Sequence, residues 1–240
     1  MTRHGLLCGT ALLVGMLTAT GCSASASSSP AGNEEADTEA TFGPLHDRAF
    51  YEQIATGAGV TLHGQAVVVG VRGMSRSGAH HDVHTQKTFD DVVAVLKADG
   101  TVLELPAATH PWFTTSTAAP DVDGDGRGDV GMIRPGRYHA VPRPGRLLAG
   151  QPTFHIQTVE GSDKLPGWRD TNHDGVYDDA ERKASETRHD ALGAVLFHEG
   201  GPGAPAPIGC QVLDAVAIKT FVTAIGGAGA DIDYVLVDAK

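Results

Sequence analysis

Cysteine is scarce in this sequence, and its scarcity excludes a disulfide-stapled scaffold. Only three of the 240 residues are cysteine, namely Cys8, Cys22 and Cys210. Cys8 and Cys22 lie at the N-terminus, in and just after an apolar run, so Cys210 has no partner within the rest of the chain. A lone thiol in an oxidising compartment is a liability, and it persists because it is either buried or used.

Basic residues are also few, and their scarcity argues against nucleic acids as partners. Lys and Arg total 18 against 29 Asp and Glu, which gives a formal charge of −11. Arg3 is the one charged residue before Cys22, so removing residues 1–21 makes the chain more acidic still. A chain with this balance offers no basic footprint for phosphates, and we expect no nucleic-acid partner.

Long apolar runs are limited to the N-terminus. Leu6 to Leu17 is too short to span a bilayer, and it follows the basic Arg3, which is typical of a signal peptide. The run ends in Thr18-Ala19-Thr20-Gly21-Cys22, where small residues precede a cysteine as in lipoprotein cleavage sites. We therefore predict a signal peptide over 1–21 and lipidation at Cys22, with ordinary secretory cleavage nearby as the alternative.

The predicted anchor implies an extracytoplasmic protein with three parts. Residues 22–43 are rich in Ser, Ala and acidic side chains and lack apolar periodicity, which predicts a flexible tether. Residues 44–240 then form one domain of ordinary size. Because no second apolar span follows, we expect the membrane to be contacted through the lipid anchor only.

Strand signals dominate the domain. Residues 45–56 and 211–225 suit helices, the second because apolar residues recur at helical spacing and Gly226-Gly227 follows. Asp99-Gly100 predicts a hairpin between two strands. The other strand candidates are 65–71, 138–141, 154–159, 191–197 and 232–237. The pattern predicts a mainly β sandwich or barrel with a few short helices.

An acidic loop at residues 170–181 predicts a calcium site. Its twelve residues place oxygen ligands or a sharp glycine turn where a calcium loop needs them, and Pro166-Gly167 before it argues against a helix–loop–helix hand. The predicted ligands are Asp170, Asn172, Asp174, the carbonyl of Val176, Asp178 and Glu181. A solvated acidic turn is the simpler alternative.

A second acidic loop repeats part of that pattern. Its carboxylates are Asp121, Asp123, Asp125 and Asp129, but Met132 stands where a bidentate glutamate belongs. Calcium would need another ligand here, so the sequence alone does not decide between a second calcium site and an acidic turn. A third cluster, His80, His81 and His84, lies in a Gly-containing polar stretch, which favours a loop over a zinc site.

The segment from His198 to Gln211 contains the candidate active site. Cys210 directly precedes the predicted helix, whose N-terminus favours a thiolate, and His198 ends a predicted strand nearby. Backbone N–H groups of Gly209 and Cys210 could then stabilise an oxyanion. A thiol, an imidazole and an oxyanion site are the parts that nucleophilic acyl transfer requires.

The order of several short motifs resembles the L,D-transpeptidase catalytic domain over about residues 64–240. That family pairs a histidine with a Ser-x-Gly-Cys motif, matched here by His198 and Gly209-Cys210. Other matching segments are Gly70 to Gly73, Asp90-Asp91, Thr109, Pro111, Pro135 to Tyr138 and Trp168 to Gly175. The sequence departs from the family at Pro207, in place of serine, and at Glu199, in place of glycine after the histidine.

The resemblance implies an L,D-transpeptidase-like fold and acyl transfer on peptidoglycan stem peptides. Cys210 would form a thioester, with His198 protonating the departing D-amino acid, and the acyl group would pass to an amine or water.

Two other interpretations stay open. In one, Cys210 is a small buried residue of a non-catalytic, calcium-stabilised lipoprotein that binds the wall or a partner. In the other, the same residues form a cysteine hydrolase of wall peptides.

Overall fold

A computed structural model of the chain describes residues 42–43, 45–81, 88–201 and 208–239. The predicted signal peptide, Cys22 and the tether up to residue 41 therefore lie outside the described residues, as do His84 and Pro207. Within the described ranges, no helix has the length and apolar character needed to cross a membrane.

The described residues form eleven strands and three helices, so the mainly β prediction is confirmed. Their bounds in chain order are α1 Arg48–Gly57, β1 Val67–Arg72, β2 Asp91–Leu96, β3 Val102–Ala108, β4 Gly131–Ile133, β5 Gly136–Leu148, β6 Gln151–Thr158, β7 Leu165–Arg169, α2 Asp179–Arg188, β8 Ala191–Leu192, β9 Leu196–Glu199, β10 Gln211–Leu213, α3 Ala215–Ala224 and β11 Ile232–Asp238.

Eight of the strands close into a barrel. Their order is β1-β11-β5-β6-β9-β10-β3-β2, and β1 closes the ring by pairing with both β11 and β2. The β2–β3 hairpin turns through Asp99-Gly100, and Gly100 takes the positive φ of 91° that this turn requires. Closure leaves no free edge in the ring, which removes the usual route to edge-to-edge association.

The valine run of β1 is buried on both faces, which explains why it barely alternates. Val68 faces the barrel core, whereas Val67, Val69 and Val71 pack in a second cluster with Tyr51 of α1. α1 thus covers the outer surface of β1 and β2, and its N-terminus is capped by Asp47.

The C-terminal helix α3 packs its buried side chains against the barrel core, and its start differs from the prediction. Phe221 stacks on Phe197 and contacts Phe154 edge to face inside the core. The helix begins at Ala215 with Asp214 as its N-cap, not near Gln211. Gln211–Leu213 instead pairs with β9 and β3 as strand β10, because those neighbours complete its hydrogen bonding.

Strand β5 is longer than predicted, and its outer half is irregular. It pairs with β6 in regular register only as far as Pro142, and the register shifts before Leu147. Pro142 and Pro144 lack the N–H that a regular ladder needs. The long hairpin therefore extends beyond the barrel and carries Arg146 towards the site described below.

A small sheet beside the barrel positions the acidic loops. Strands β4, β7 and β8 form it, and residues 170–178 connect β7 to α2, so the last three residues of the predicted 170–181 loop form the first turn of the helix. The sequence did not predict α2, because just two of its residues, Glu181 and Ser185, are buried. The absence of a helix before the loop agrees with the expectation from Pro166-Gly167.

The domain begins at least two residues earlier than the predicted boundary of 44. Phe42 is 5% exposed and packs in the barrel core, and its carbonyl accepts a hydrogen bond from the Glu104 N–H. The Gly43 carbonyl accepts one from Arg76. The last residues of the predicted tether are therefore part of the folded domain.

Candidate cysteine–histidine site

Two adjacent parallel strands bring Cys210 and His198 together. Strand β10 pairs with β9 so that Gln211 lies opposite Phe197 and Val212 opposite His198. Phe197 packs in the barrel core, and Gln211 accepts a hydrogen bond from the buried Tyr234 hydroxyl. Because side chains alternate along a strand, Cys210 and His198 project from the outer face.

Both side chains line one pocket of about 430 Å³, here called the thiol pocket. This volume lies within the usual range for small-molecule sites. Its walls are Ala118, Ala119, Pro120, Arg146, Leu148, Arg169, Leu192, Gly193, Ala194, Val195, Leu196, His198, Ile208, Gly209 and Cys210. The sequence analysis predicted three of these residues, and the fold supplies the others.

The histidine is held in one orientation by the backbone. His198 is 2% exposed, and its Nδ1 lies 2.7 Å from the carbonyl oxygen of Glu199. A carbonyl accepts only, so Nδ1 carries the proton and Nε2 remains as the acceptor. The acceptor is the backbone carbonyl of residue 199. The contact therefore does not depend on whether that residue is glutamate, as here, or the glycine of the family motif.

Burial keeps both groups of the pair neutral. Desolvation raises the pKa of the Cys210 thiol to about 11, although the Leu196 N–H and the Arg146 charge act in the opposite direction. Desolvation likewise lowers the pKa of His198, and Arg146 adds to that effect. The expected thiolate at a helix N-terminus was wrong, because α3 begins four residues after Gln211.

This pair suits a proton transfer that accompanies attack. A neutral imidazole with a free Nε2 can take the thiol proton as base and return it as acid. Both residues are among those described, and no direct hydrogen bond joins their side chains. The transfer would therefore need the small side-chain adjustment that substrate binding commonly brings.

Gly209 is required by the backbone and by close packing. It adopts a φ of 134°, and a Cβ there would approach Leu192 Cδ2 to 2.7 Å and the Gly131 carbonyl oxygen to 2.8 Å. Only glycine adopts this conformation readily. The close approach sets the position of Cys210 against the wall formed by β8 and β4.

Sequence reasoning missed two basic residues of the thiol pocket. Arg169 was part of the Trp168 to Gly175 motif but had no role assigned, and Arg146 was not considered. The hairpin that carries Arg146 towards the pocket is not readable from local sequence.

The loop 170–181 buries two of its predicted acidic ligands, Asp170 and Glu181, whereas Asp174 and Asp178 are exposed. Asp170 is fully buried and accepts N–H groups of Asp174 and Gly175, and Glu181 accepts those of Thr171 and Asn172. Glu181 also forms a capping box with Asp178 at the start of α2. Burial raises the pKa of Asp170 to about 6, and the Glu181 charge adds to this.

The other acidic loop lies against it. Ligand atoms of Asp121, Asp123 and Asp129 all lie within 4.8 Å of one another, as do those of Asp125, Asp129 and His173. The ring Nε2 of His173 lies 2.9 Å from a carboxylate oxygen of the buried Asp129. His173 belongs to the 170–181 loop, so this contact joins the two loops.

Several motifs of the resemblance converge in one buried network at the end of the barrel. Arg72 donates to the Thr109 hydroxyl and carbonyl and to the Ile133 carbonyl. Asp91 accepts from Gly73 N and from both the amide and the hydroxyl of Thr109. The fold thus explains why these separated residues occur together, as a structural anchor for β1, β2 and β3.

Of the three clustered histidines, the structure describes His80 and His81, which make separate contacts. His80 forms a backbone bridge with Met74, and His81 Nε2 lies 3.0 Å from the Asp90 carbonyl oxygen. His84 lies outside the described residues. A ligand atom of His81 is within 4.8 Å of Asp90 and Asp91, but Asp91 already accepts the donors of the buried network.

Comparison with known proteins adds no identification. No protein-family model matches the chain, and no curated protein matches it.

Proposed function

We propose that the domain is a cysteine acyltransferase of the L,D-transpeptidase type that acts on peptidoglycan stem peptides. The observation that supports this most is the placement of Cys210 and His198 on adjacent parallel strands, facing one pocket. The order of the sequence motifs and the β barrel agree with it. Lipid anchoring at Cys22, outside the cytoplasm, would place the domain within reach of the wall.

The chemistry follows from the neutral pair. His198 Nε2 accepts the thiol proton as the Cys210 sulfur adds to a peptide carbonyl carbon, and N–H groups of Gly209 and Cys210 stabilise the oxyanion. The C–N bond then breaks, and the imidazolium returns the proton to the departing amine. An acceptor amine, or water, releases the acyl group from the thioester and restores the thiol.

Calcium in the acidic loops belongs to the same proposal. Asp170 and Glu181 are two buried carboxylates close to each other, and clustered oxygen ligands suit a hard cation such as calcium. The first site would use the 170–181 ligands, and the second would use Asp121, Asp123 and Asp129 with Asp125 or His173. The ion would neutralise the carboxylates and hold the loops together.

A non-catalytic envelope lipoprotein, stabilised by calcium and binding wall or a partner, is the second candidate. The raised pKa of Cys210 and the lack of a direct hydrogen bond between this described thiol and His198 favour it. The two candidates differ in whether the folded protein forms a covalent acyl adduct.

Covalent labelling by a carbapenem tests the choice. The family resemblance suggests this compound as an acylating mimic of the donor. A soluble chain of residues 23–240 keeps every described residue and leaves Cys210 as its one thiol. We expect an intact-mass adduct that is absent in Cys210→Ser and at least about tenfold slower in His198→Ala, because the latter lacks the base.

The exposed His63→Ala variant is the matched control and should label like the parent chain. An adduct that survives in Cys210→Ser, or that is unaffected in His198→Ala, would remove the acyl-transfer proposal. Labelling by iodoacetamide without any carbapenem adduct would point to a cysteine hydrolase with another substrate. A thiol that reacts only after denaturation would favour the lipoprotein without catalysis.

A further inference from the structure

Two polar side chains meet in the barrel core, one of them directly after Cys210. Gln211 of β10 and Tyr234 of β11 are both fully buried, and the Tyr234 hydroxyl donates to Gln211 Oε1 at 2.9 Å. Strand alternation turns Gln211 inwards while Cys210 faces the pocket. Polar groups in a core are costly unless they are hydrogen-bonded, and apolar side chains of the same shape would fill this space without that demand.

The other end of Gln211 reaches the backbone just before the thiol. Its Nε2 lies 3.5 Å from the Gly209 carbonyl oxygen, which is a long hydrogen bond. Because a carbonyl only accepts, the amide nitrogen faces Gly209 and the amide oxygen faces the Tyr234 hydroxyl. A chain of hydrogen bonds thus runs from Tyr234 through Gln211 to Gly209.

Close packing fixes the far end of this chain. A Cβ on Gly70 of β1 would stand 2.6 Å from the Tyr234 hydroxyl oxygen, which is closer than two such atoms can approach. Glycine at position 70 therefore makes the space in which the hydroxyl lies. Burial raises the pKa of Tyr234 well above its ordinary value, so the hydroxyl stays protonated and remains a donor.

The peptide between Gly209 and Cys210 is held from two sides. The Leu192 side chain and the Gly131 carbonyl leave no room for a Cβ on Gly209, and Gln211 holds its carbonyl. In a planar trans peptide, the C=O and the following N–H point in opposite directions. A Gly209 carbonyl directed at Gln211 therefore turns the Cys210 N–H away from the core, and this N–H has no backbone acceptor among the described residues.

We infer that Tyr234 and Gln211 are positioning residues, which hold the peptide before the thiol so that the Cys210 N–H faces the carbonyl oxygen under attack. The inference rests on the proposed acyl transfer for the reaction that it serves, but the alignment of the N–H is a property of the fold. Neither side chain lines the thiol pocket. Their effect is confined to reactions in which negative charge develops on an oxygen, because only such an oxygen needs the donor.

Two small reagents separate that effect from a general loss of structure. In acetylation by p-nitrophenyl acetate, the Cys210 sulfur adds to the ester carbonyl carbon and an oxyanion forms. The C–O bond then breaks, nitrophenolate leaves, and the thiol proton passes to His198 and on to water. Iodoacetamide alkylates the same sulfur by displacing iodide from a saturated carbon, with no oxyanion. Both reactions need access to the thiol and loss of its proton, so the ratio of their rates reports the oxyanion donor.

Two variants of the soluble chain of residues 23–240 break the hydrogen-bond chain. Tyr234→Phe removes the hydroxyl and keeps the ring. We expect acetylation at Cys210 to slow about five- to tenfold relative to alkylation, less than for the loss of a whole oxyanion donor, because the N–H is misaligned and not removed. Gln211→Met removes both hydrogen-bonding groups at similar length and should give a similar fall. The double variant should fall no further than Gln211→Met, because the two residues act as one chain.

Tyr138→Phe is the matched control. It also removes one hydroxyl from the barrel core, where Tyr138 is 3% exposed and its ring lies 6.2 Å from that of Tyr234. The Tyr138 hydroxyl donates to the Arg134 carbonyl instead of to Gln211. Its rate ratio should therefore match that of the parent chain. Peptide mass after timed reaction gives both rates at Cys210, and circular dichroism confirms that each variant is folded.

An unchanged ratio in Tyr234→Phe and Gln211→Met would overturn the inference, as would an equal fall in Tyr138→Phe or a thiol that neither reagent reaches in the folded parent. A fall confined to the first two variants, in a parent that takes no carbapenem adduct, would support the positioning role and remove the transpeptidase proposal alone. A carbapenem adduct together with an unchanged ratio would remove the positioning role alone.

Discussion

At the scale of single residues, Cys210 combines a place in the pocket wall with a strongly raised pKa. The side chain lines the thiol pocket, yet burial raises its pKa to about 11. A neutral thiol at physiological pH is protected from oxidation, and reactivity then depends on proton removal by His198 when substrate is bound. The site therefore differs from one in which the cysteine is already a thiolate before substrate binds.

The pH dependence of alkylation tests that view. The thiolate is the reactive form, so with a pKa of about 11 the iodoacetamide rate should rise about tenfold per unit between roughly pH 7 and 10. Intact mass at timed intervals gives the rate, and the same chain in urea supplies the control with an ordinary thiol profile. A plateau already at neutral pH would mean a thiolate–imidazolium pair.

Gly209 is the residue whose backbone sets the thiol in place. Gly209→Ala should lower the free energy of unfolding by about 3 kcal/mol, because a strained φ is combined with contacts to Leu192 and Gly131. Urea unfolding measures this. Gly150→Ala is the control, since its φ is also positive but its Cβ meets nothing within 4 Å, and it should cost about 1 kcal/mol.

At the scale of elements, the loop 170–181 and helix α2 share one side chain. Glu181 is both the capping-box partner of Asp178 and the predicted bidentate ligand of calcium. The two roles call for different chemistry, because a cap needs an acceptor oxygen whereas calcium needs the charge. Unfolding measured with and without calcium can therefore separate them.

Glu181→Gln removes the charge and leaves one acceptor oxygen, so either the Thr171 and Asn172 N–H groups or the Asp178 N–H loses its acceptor. Without calcium, its free energy of unfolding should therefore fall by about 1–3 kcal/mol. With calcium at about a hundred times its dissociation constant, the parent chain should gain about 2.7 kcal/mol, and the variant should lose most of that gain. Thermal unfolding in chelator and in calcium measures both quantities.

Asp179→Asn removes the same charge two residues away at an exposed position and should keep the calcium effect. If neither the parent nor this control responds to calcium, the loop is a self-contained acidic turn whose carboxylates cap its own N–H groups.

At the scale of the whole molecule, the acidic loops and the thiol pocket share a wall. Arg169 lines the pocket and Asp170 begins the loop, with its N–H bonded to the Val130 carbonyl. The Pro120 carbonyl accepts from Asp129, and Pro120 also lines the pocket. Whatever holds the two loops together therefore also holds one side of the pocket.

The N-terminal extent of the domain can be tested in the same way. Phe42→Ala should cost about 3 kcal/mol, because a buried aromatic side chain leaves the barrel core. Leu45→Ala, three residues on and 64% exposed, should stay within about 0.5 kcal/mol. Chemical unfolding of both variants gives the comparison. Equal, small losses of unfolding free energy would mean that residue 42 belongs to the tether and not to the folded domain.

Local sequence patterns were enough to predict the mainly β class, the β2–β3 hairpin and most strand positions, because these depend on apolar spacing and on turn residues such as Asp99-Gly100. They also identified Cys210 and His198 as candidate catalytic residues. They could not place the start of α3, since Gln211–Leu213 is apolar enough for either state and pairing with β9 and β3 decides for a strand.

The environment of the site, in contrast, depends on long-range packing. Burial reverses the expected pKa shift of Cys210, and no local pattern contains that information because the desolvating walls come from β8, β9 and the segment around Pro120. Arg146 and Arg169 reach the thiol from separate elements for the same reason. Packing between distant segments sets which charges face each other in the pocket.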